Sequence, residues 1–257
     1  MQRVLQMSNR YDCSDMFAQR FFTEKHADKY NTDITVEFED FKLFNKTICE
    51  CITQIFVEPY INHVITFENN CFNSEEKQLI YNEVLEIADF DGMEEIVAKI
   101  TCSSRILNIE GIFHFRLKDW ICDLKDTCNE VADKYIMKNE YLDFIRMLRF
   151  FASVNSGSND IVNIILKSSE SADILDENFN SIEFANVGYN YEFAHAGQLY
   201  EYDSIVSVLV EISPKIIIIH NWKSYVNSQM IETIVNIFDD RVKFCDGCRF
   251  CAEEKNK

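Results

Sequence analysis

The sequence predicts an α+β fold: a mainly helical N-terminal body, then a small α/β unit with at least two parallel strands and a C-terminal Cys-x-x-Cys-x-x-Cys tail. Three observations predict it. Apolar residues recur at steps of three and four across much of residues 43–151. Four consecutive isoleucines, Ile216 to Ile219, mark a strand covered on both faces. Only six Gly and two Pro in 257 residues leave too few sharp turns for a loop-rich β-sandwich. Hydrophobic residues at 47% and aromatics at 13% suffice for one large core or two modest ones, which excludes general disorder.

Residues 1–42 read as a small α/β segment. Val4 to Met7 is a short apolar run, a helix is expected over Ser14 to Tyr30, and Ile34, Val36 and Phe38 alternate with polar residues as a half-buried strand. Residues 43–155 read as a helical body. Ile48, Ile52, Ile55 and Phe56 share one face, and Pro59 is expected to end or kink that helix. Ser74 starts the next, its hydroxyl accepting an orphan amide while Glu75 and Glu76 suit the positive end of the helix dipole. Asp91-Gly92 interrupts the run, and Asp91 with Glu94 reads as a fresh cap. The longest helix is expected over Ile109 to Met137, where Phe113, Leu117, Trp120, Leu124, Cys128, Val131 and Tyr135 form the stripe; Asn139 then caps another that buries Leu142, Ile145, Leu148 and Phe151.

The small polar stretch Ser153 to Asn159 is the clearest boundary. Beyond it, residues 160–251 read as the α/β unit. Ile161 to Leu166 is a strand, and Ser168 to Asp203 is polar and ambiguous, with room for a hairpin. A helix runs from Asp203 or Ser204 to Ile212, where Pro214 stops it. After the isoleucine strand, Ile231, Ile234, Val235 and Phe238 form a helical stripe, and Val242 and Phe244 alternate as a strand. Strand, helix and strand within about thirty residues make a right-handed crossover, so the two strands should be parallel.

With 25 basic against 43 acidic residues, the formal charge of −18 makes nucleic acid and anionic lipid poor default partners. Arg116, Lys118, Lys125, Arg146 and Arg149 are the one basic set on adjacent predicted helices. The first nine residues lack a basic region followed by an apolar run, so no signal peptide is expected. The most apolar stretch, Ile48 to Phe67, contains Glu50, Glu58, Pro59 and His63, so no membrane span is expected and the chain is assigned to the cytoplasm. There, reductants keep cysteines as thiols or metal ligands rather than disulfides.

Seven of the ten cysteines are scattered, but Cys245, Cys248 and Cys251 follow the last strand at fixed spacing. Two intervening residues let the chain fold back so that successive thiolates face one centre, and Gly247 permits the positive φ such a knuckle needs. Zinc or an iron-sulfur cluster would need a fourth ligand, for which Cys102, His220 and His195 are candidates. The alternative is three reduced thiols on a frayed terminus. A second constellation, Glu110, His114, Arg116 and Lys118, sits at four-residue and shorter spacings and could bind a phosphate or carboxylate ligand; an ordinary solvated helix face is the competing reading. His220 ends the isoleucine strand at the edge where open α/β sheets bind ligands. No phosphate loop, dinucleotide fingerprint, nucleophile elbow or paired-His zinc motif occurs, so the common enzyme classes lack support.

Four segments carry a resemblance: Glu110 to Asp119, Pro214 to His220, Glu232-Thr233 leading to Ile237-Phe238 and Arg241-Val242, and the cysteine triplet. In order and spacing they resemble the YtxC family of sporulation proteins from endospore-forming bacteria, over roughly the second half of the chain. The family usually reads Thr-Gly-Cys after its first cysteine, whereas this chain has Asp246 in the threonine position. The resemblance implies a cytosolic protein acting with an unidentified protein partner of the sporulation programme, and no known reaction. The leading expectation is a non-enzymatic sporulation-associated protein presenting Cys245, Cys248 and Cys251. The alternative is a ligand-binding protein or enzyme with a polar pocket around Glu110, His114, Arg116, Lys118 and His220.

Overall fold

The computed structural model describes residues 1–69, 71–155, 160–167, 172–182, 202–224, 228–249 and 251. The architecture is α+β, with two mixed sheets and helices throughout. The chain divides into two compact units, Met1–Met137 and Lys138–Lys257.

In the first unit, β1 (Gln2–Ser8), β2 (Phe22–Ala27), β3 (Asn31–Glu37) and β4 (Ile106–Asn108) form a sheet in the order β2-β3-β1-β4. β1 is antiparallel to β3 and parallel to β4. Leu5, Met7, Ile34 and Val36 turn one face inward, as strand alternation requires. The helix expected over Ser14 to Tyr30 stops early: α1 is only Ser14–Ala18, and the rest becomes β2. β2 is an edge strand whose side chains are nearly all exposed, so it lacks the apolar alternation that betrays a strand, and its backbone pairing with β3 decides its conformation. Asp28 closes the turn between them, accepting the amides of Tyr30 and Asn31 at 2.6 and 2.7 Å.

The helices follow. α2 (Phe41–Ile52) is capped by Asp40, which accepts the Leu43 amide at 3.0 Å, and buries Phe44 in a stack on Phe38 with ring centroids 4.0 Å apart. Pro59 does not end the helix. Thr53–Val57 widen into a π-type turn, after which α3 (Glu58–His63) takes Pro59 in its first turn; the missing proline N–H costs less where the regular ladder is already relaxed. α4 (Ser74–Ile87) starts on Asn73 rather than Ser74, in a reciprocal capping box with Glu76. α5 (Phe90–Ser103) starts on Asp89 rather than Asp91, its carboxylate accepting the Gly92 amide at 2.9 Å; a Cβ at Gly92 would collide with that carboxylate. Cys13 and Cys51, both buried, form a disulfide with Cα atoms 6.4 Å apart, against the expectation of reduced thiols.

α6 (Ile109–Gly111) and a π-type turn over Ile112–Arg116 precede α7 (Lys118–Val154), so the longest helix starts later and runs farther than its apolar stripe implies. Asn139 begins no new helix because no Gly or Pro stands near it to break the ladder. The stripe changes phase there because the early part of α7 (Leu124, Cys128, Val131) feeds the core of the first unit and the late part (Ile145, Ala152) that of the second. Leu142 and Phe151, expected in the core, are 40% and 47% exposed.

The second unit holds β5 (Ile161–Leu166), β6 (Ala172–Leu175), α8 (Tyr202–Ile212), β7 (Ile216–His220), α9 (Ser228–Phe238) and β8 (Val242–Phe244). Sheet order is β6-β5-β7-β8, with β7 parallel to both β5 and β8 and β6 antiparallel to β5. The strand-helix-strand expectation is met in the parallel pair β7 and β8; in the segment Ser168 to Asp203, read as room for a hairpin, β6 pairs with β5 outside it, and residues 168–171 and 183–201 lie outside the described residues. Val162, Ile164, Ile217, Ile219, Leu209 and Ile234 fill the core. Among the described residues no helix is long and apolar enough to cross a membrane.

Candidate metal centre

The isoleucines of β7 fix it in the centre of the second sheet, so its last residue, His220, arrives at the carboxyl end of the parallel strands and is buried, only 3% exposed. Asn221 then takes φ of 59°, a left-handed turn that Asn tolerates, and its amide group donates to the Leu166 carbonyl at 3.4 Å. β8 pairs Phe244 with Ile219, and the Cys245 amide extends that ladder by donating to the Ile219 carbonyl at 2.9 Å. Register alone therefore delivers Cys245 to the same sheet edge as His220.

From Cys245 the chain folds back through Gly247, whose φ of +126° lies in a region glycine alone enters freely, and the Gly247 amide donates to Cys245 Sγ at 3.4 Å. The result is a tight cluster. His220 Nδ1 lies 3.4 Å from Cys248 Sγ and 3.6 Å from Cys251 Sγ; Cys251 Sγ lies 3.7 Å from Cys248 Sγ and 3.8 Å from Cys245 Sγ. All four donor atoms fall within 4.8 Å of one another. A tetrahedral ion with metal–sulfur and metal–nitrogen bonds of about 2.3 and 2.0 Å has sulfur–sulfur edges of about 3.8 Å and sulfur–nitrogen edges of about 3.5 Å. The four donors could hold one metal ion.

Burial pushes the His220 pKa below its ordinary 6.5, so the imidazole is neutral and its lone pair available at neutral pH. Burial raises the Cys245 thiol. At Cys251 burial also acts upward, but the amide N–H groups of Cys248 and Asn221 and the neighbouring thiols outweigh it, leaving that thiol below its usual 9.0. Aromatic rings close the surroundings. Phe179 stands edge-on to His220 at 5.9 Å, and Trp222 donates from Nε1 to the Cys245 carbonyl at 3.2 Å while packing on Phe244.

Of the candidate fourth ligands, His220 joins the triplet; Cys102 lies exposed on α5 in the first unit, and His195 lies outside the described residues. The Glu110 constellation lies in the first unit. Glu110 accepts the Ser8 amide at 2.9 Å, His114 stands edge-on to Phe56 and Phe113, and His114, Arg116 and Lys118 are exposed. Its members fall across a π-type turn, which changes the phase on which their four-residue spacing relied. Among the basic set, Lys125 pairs with Glu68 at 2.7 Å, Arg146 with Asp143 at 2.6 Å, and Arg149 donates to the Asn236 carbonyl. Sequence reasoning missed Asn163, whose Oδ1 meets His220 Nε2 at 3.1 Å. Its signal was a lone polar residue inside the apolar run Ile161 to Leu166, which must find a partner when buried.

The model of the YtxC-like family matches residues 42–243, reaching further toward the N-terminus than the motifs do and ending just before the cysteine triplet. No curated protein and no solved structure matches the chain. With the family model covering most of its length, the chain belongs to the YtxC-like family.

Proposed function

We propose that the second unit is a structural zinc module in which Cys245, Cys248, Cys251 and His220 ligate one ion, and that the protein serves endospore formation as a non-enzymatic, cytosolic component acting through a protein partner. The observation that carries the zinc reading is the spacing of the donor atoms, 3.4–3.8 Å for four of the pairs, which matches the edges of a coordination tetrahedron. A four-iron cluster places its own cube between the cysteines, each on a different iron, so sulfurs this close favour a single ion. Four protein ligands fill a tetrahedron and leave no open position for water or substrate, which supports a structural role over hydrolysis. The sporulation role and the cytosolic setting are supported by the family resemblance.

Titrating the anaerobic, metal-free chain with cobalt(II) tests the site. One equivalent should give the intense visible spectrum of a tetrahedral thiolate complex, displaced by zinc and absent in His220→Ala and Cys248→Ser. A pale octahedral spectrum, or one unchanged in both variants, would overturn the assignment. For the cellular role, an endospore-forming host deprived of the protein should yield fewer heat-resistant spores; an undiminished yield contradicts it.

A further inference from the structure

We propose that Asn163 is a positioning residue that holds His220 in the Nε2–H tautomer and so presents Nδ1 to the three cysteine sulfurs. This rests on the zinc reading above. Asn163 lies on β5, where β5 and β7 pair Asn163 with Ile218 and Ile165 with His220, so the two side chains are diagonal neighbours across adjacent strands. It is 3% exposed, and a buried carboxamide must satisfy both its ends.

Its orientation follows from its other partner. Asn163 Nδ2 donates to the Asp176 main-chain carbonyl at 2.7 Å, a group that can only accept. Asn163 Oδ1 is therefore the atom turned toward His220, 3.1 Å from Nε2, and because that oxygen can only accept, Nε2 carries the hydrogen. A neutral ring protonated at Nε2 has its lone pair at Nδ1, the atom 3.4 and 3.6 Å from the Cys248 and Cys251 sulfurs. Reversing the amide would oppose carbonyl to carbonyl at Asp176. The Asp176 carbonyl is itself held, because its residue's carboxylate accepts the amides of Asn178 and Asn180, each at 2.8 Å, and its own amide donates to the Asn180 carbonyl at 2.9 Å. The chain Asp176, Asn163, His220 thus runs from the turn after β6 to the sulfurs. Partners of this kind set the tautomer and ring orientation of a metal-bound histidine.

The test uses the full-length chain, prepared without oxygen, with histidine labelled in both ring nitrogens and His220 assigned through His220→Gln. Loaded with cadmium-113, His220 should show metal coupling at Nδ1 and a retained proton at Nε2; coupling at Nε2 overturns the proposal. In chelator competition for zinc, Asn163→Leu should weaken binding about 10–100-fold. Unchanged affinity in Asn163→Leu overturns the proposal. Should that variant fail to fold, the metal-free wild-type ring still decides: a proton on Nε2 supports the role of Asn163, and a proton on Nδ1 overturns it. A wild-type chain that binds neither metal overturns the zinc reading separately, since the tautomer remains readable.

Discussion

Gly247 is the residue on which the knuckle turns. Its φ of +126° suits no side chain, yet a Cβ placed there would meet nothing within 4 Å, so the whole cost of substitution falls on the backbone. Gly247→Ala should cost about 1–3 kcal/mol, read as a weakening of zinc binding of about 5- to 150-fold in chelator competition. An affinity equal to wild type would mean that the turn is not required for ligation. At this scale, legibility tracks locality. The three cysteines could be read from spacing because a knuckle is a local structure, whereas His220 comes to them by strand register and could only be one of several candidates. Asn163 is further removed still, since its role depends on which strand β7 pairs with and on where the turn after β6 puts a carbonyl.

Among the elements, those carrying a strong pattern were legible. The isoleucine run became β7 and the run from Ile161 became β5; β5 is buried along most of its length, whereas in β7 Ile217 and Ile219 are buried, Ile218 is half-buried and Ile216 is exposed, so the expectation of cover on both faces holds for β5 and not for all of β7. Ile217, fully buried in the core of the second unit, should cost about 2–5 kcal/mol on Ile217→Ala in denaturant unfolding of the metal-loaded chain. β2 was illegible, since an exposed edge strand takes its conformation from its neighbour's backbone. Its packing against the start of α1 is instead electrostatic. Asp12 accepts from the Ser14 amide at 2.9 Å and from Lys25 of β2 at 2.5 Å; burial works against the charged form, but these donors outweigh it and hold the carboxyl below its ordinary 3.8. A depressed folded-state pKa contributes stability above about pH 4 that is lost as pH falls through the folded value. Asp12→Asn should therefore flatten the acid limb of a stability-against-pH curve, and an unaltered acid limb would contradict this. Helix boundaries were the least legible, because Asn73 and Asp89 cap one or two residues before the positions that composition favoured and α7 runs through a change of core.

The whole molecule comprises two units with separate cores, and each contains one of the two tryptophans, Trp120 in the first and Trp222 in the second. Trp222 donates to the carbonyl of Cys245, so it reports on the site directly. In Trp120→Phe, a strong chelator should shift the remaining emission and lower the unfolding midpoint of the second unit; in Trp222→Phe, the Trp120 signal should stay unchanged, because structural zinc contributes its binding energy to the fold that holds it. The sequence puts its clearest boundary at Ser153 to Asn159, whereas the two compact units divide at Met137 and Lys138, within α7; which strands pair, and hence where the sheet edge lies, is a property of the assembled chain. Full-length protein purified without oxygen should carry one zinc per chain by elemental analysis, lost in Cys248→Ser and His220→Ala; wild-type protein with no zinc, or with several irons and sulfide, rules out the structural zinc site.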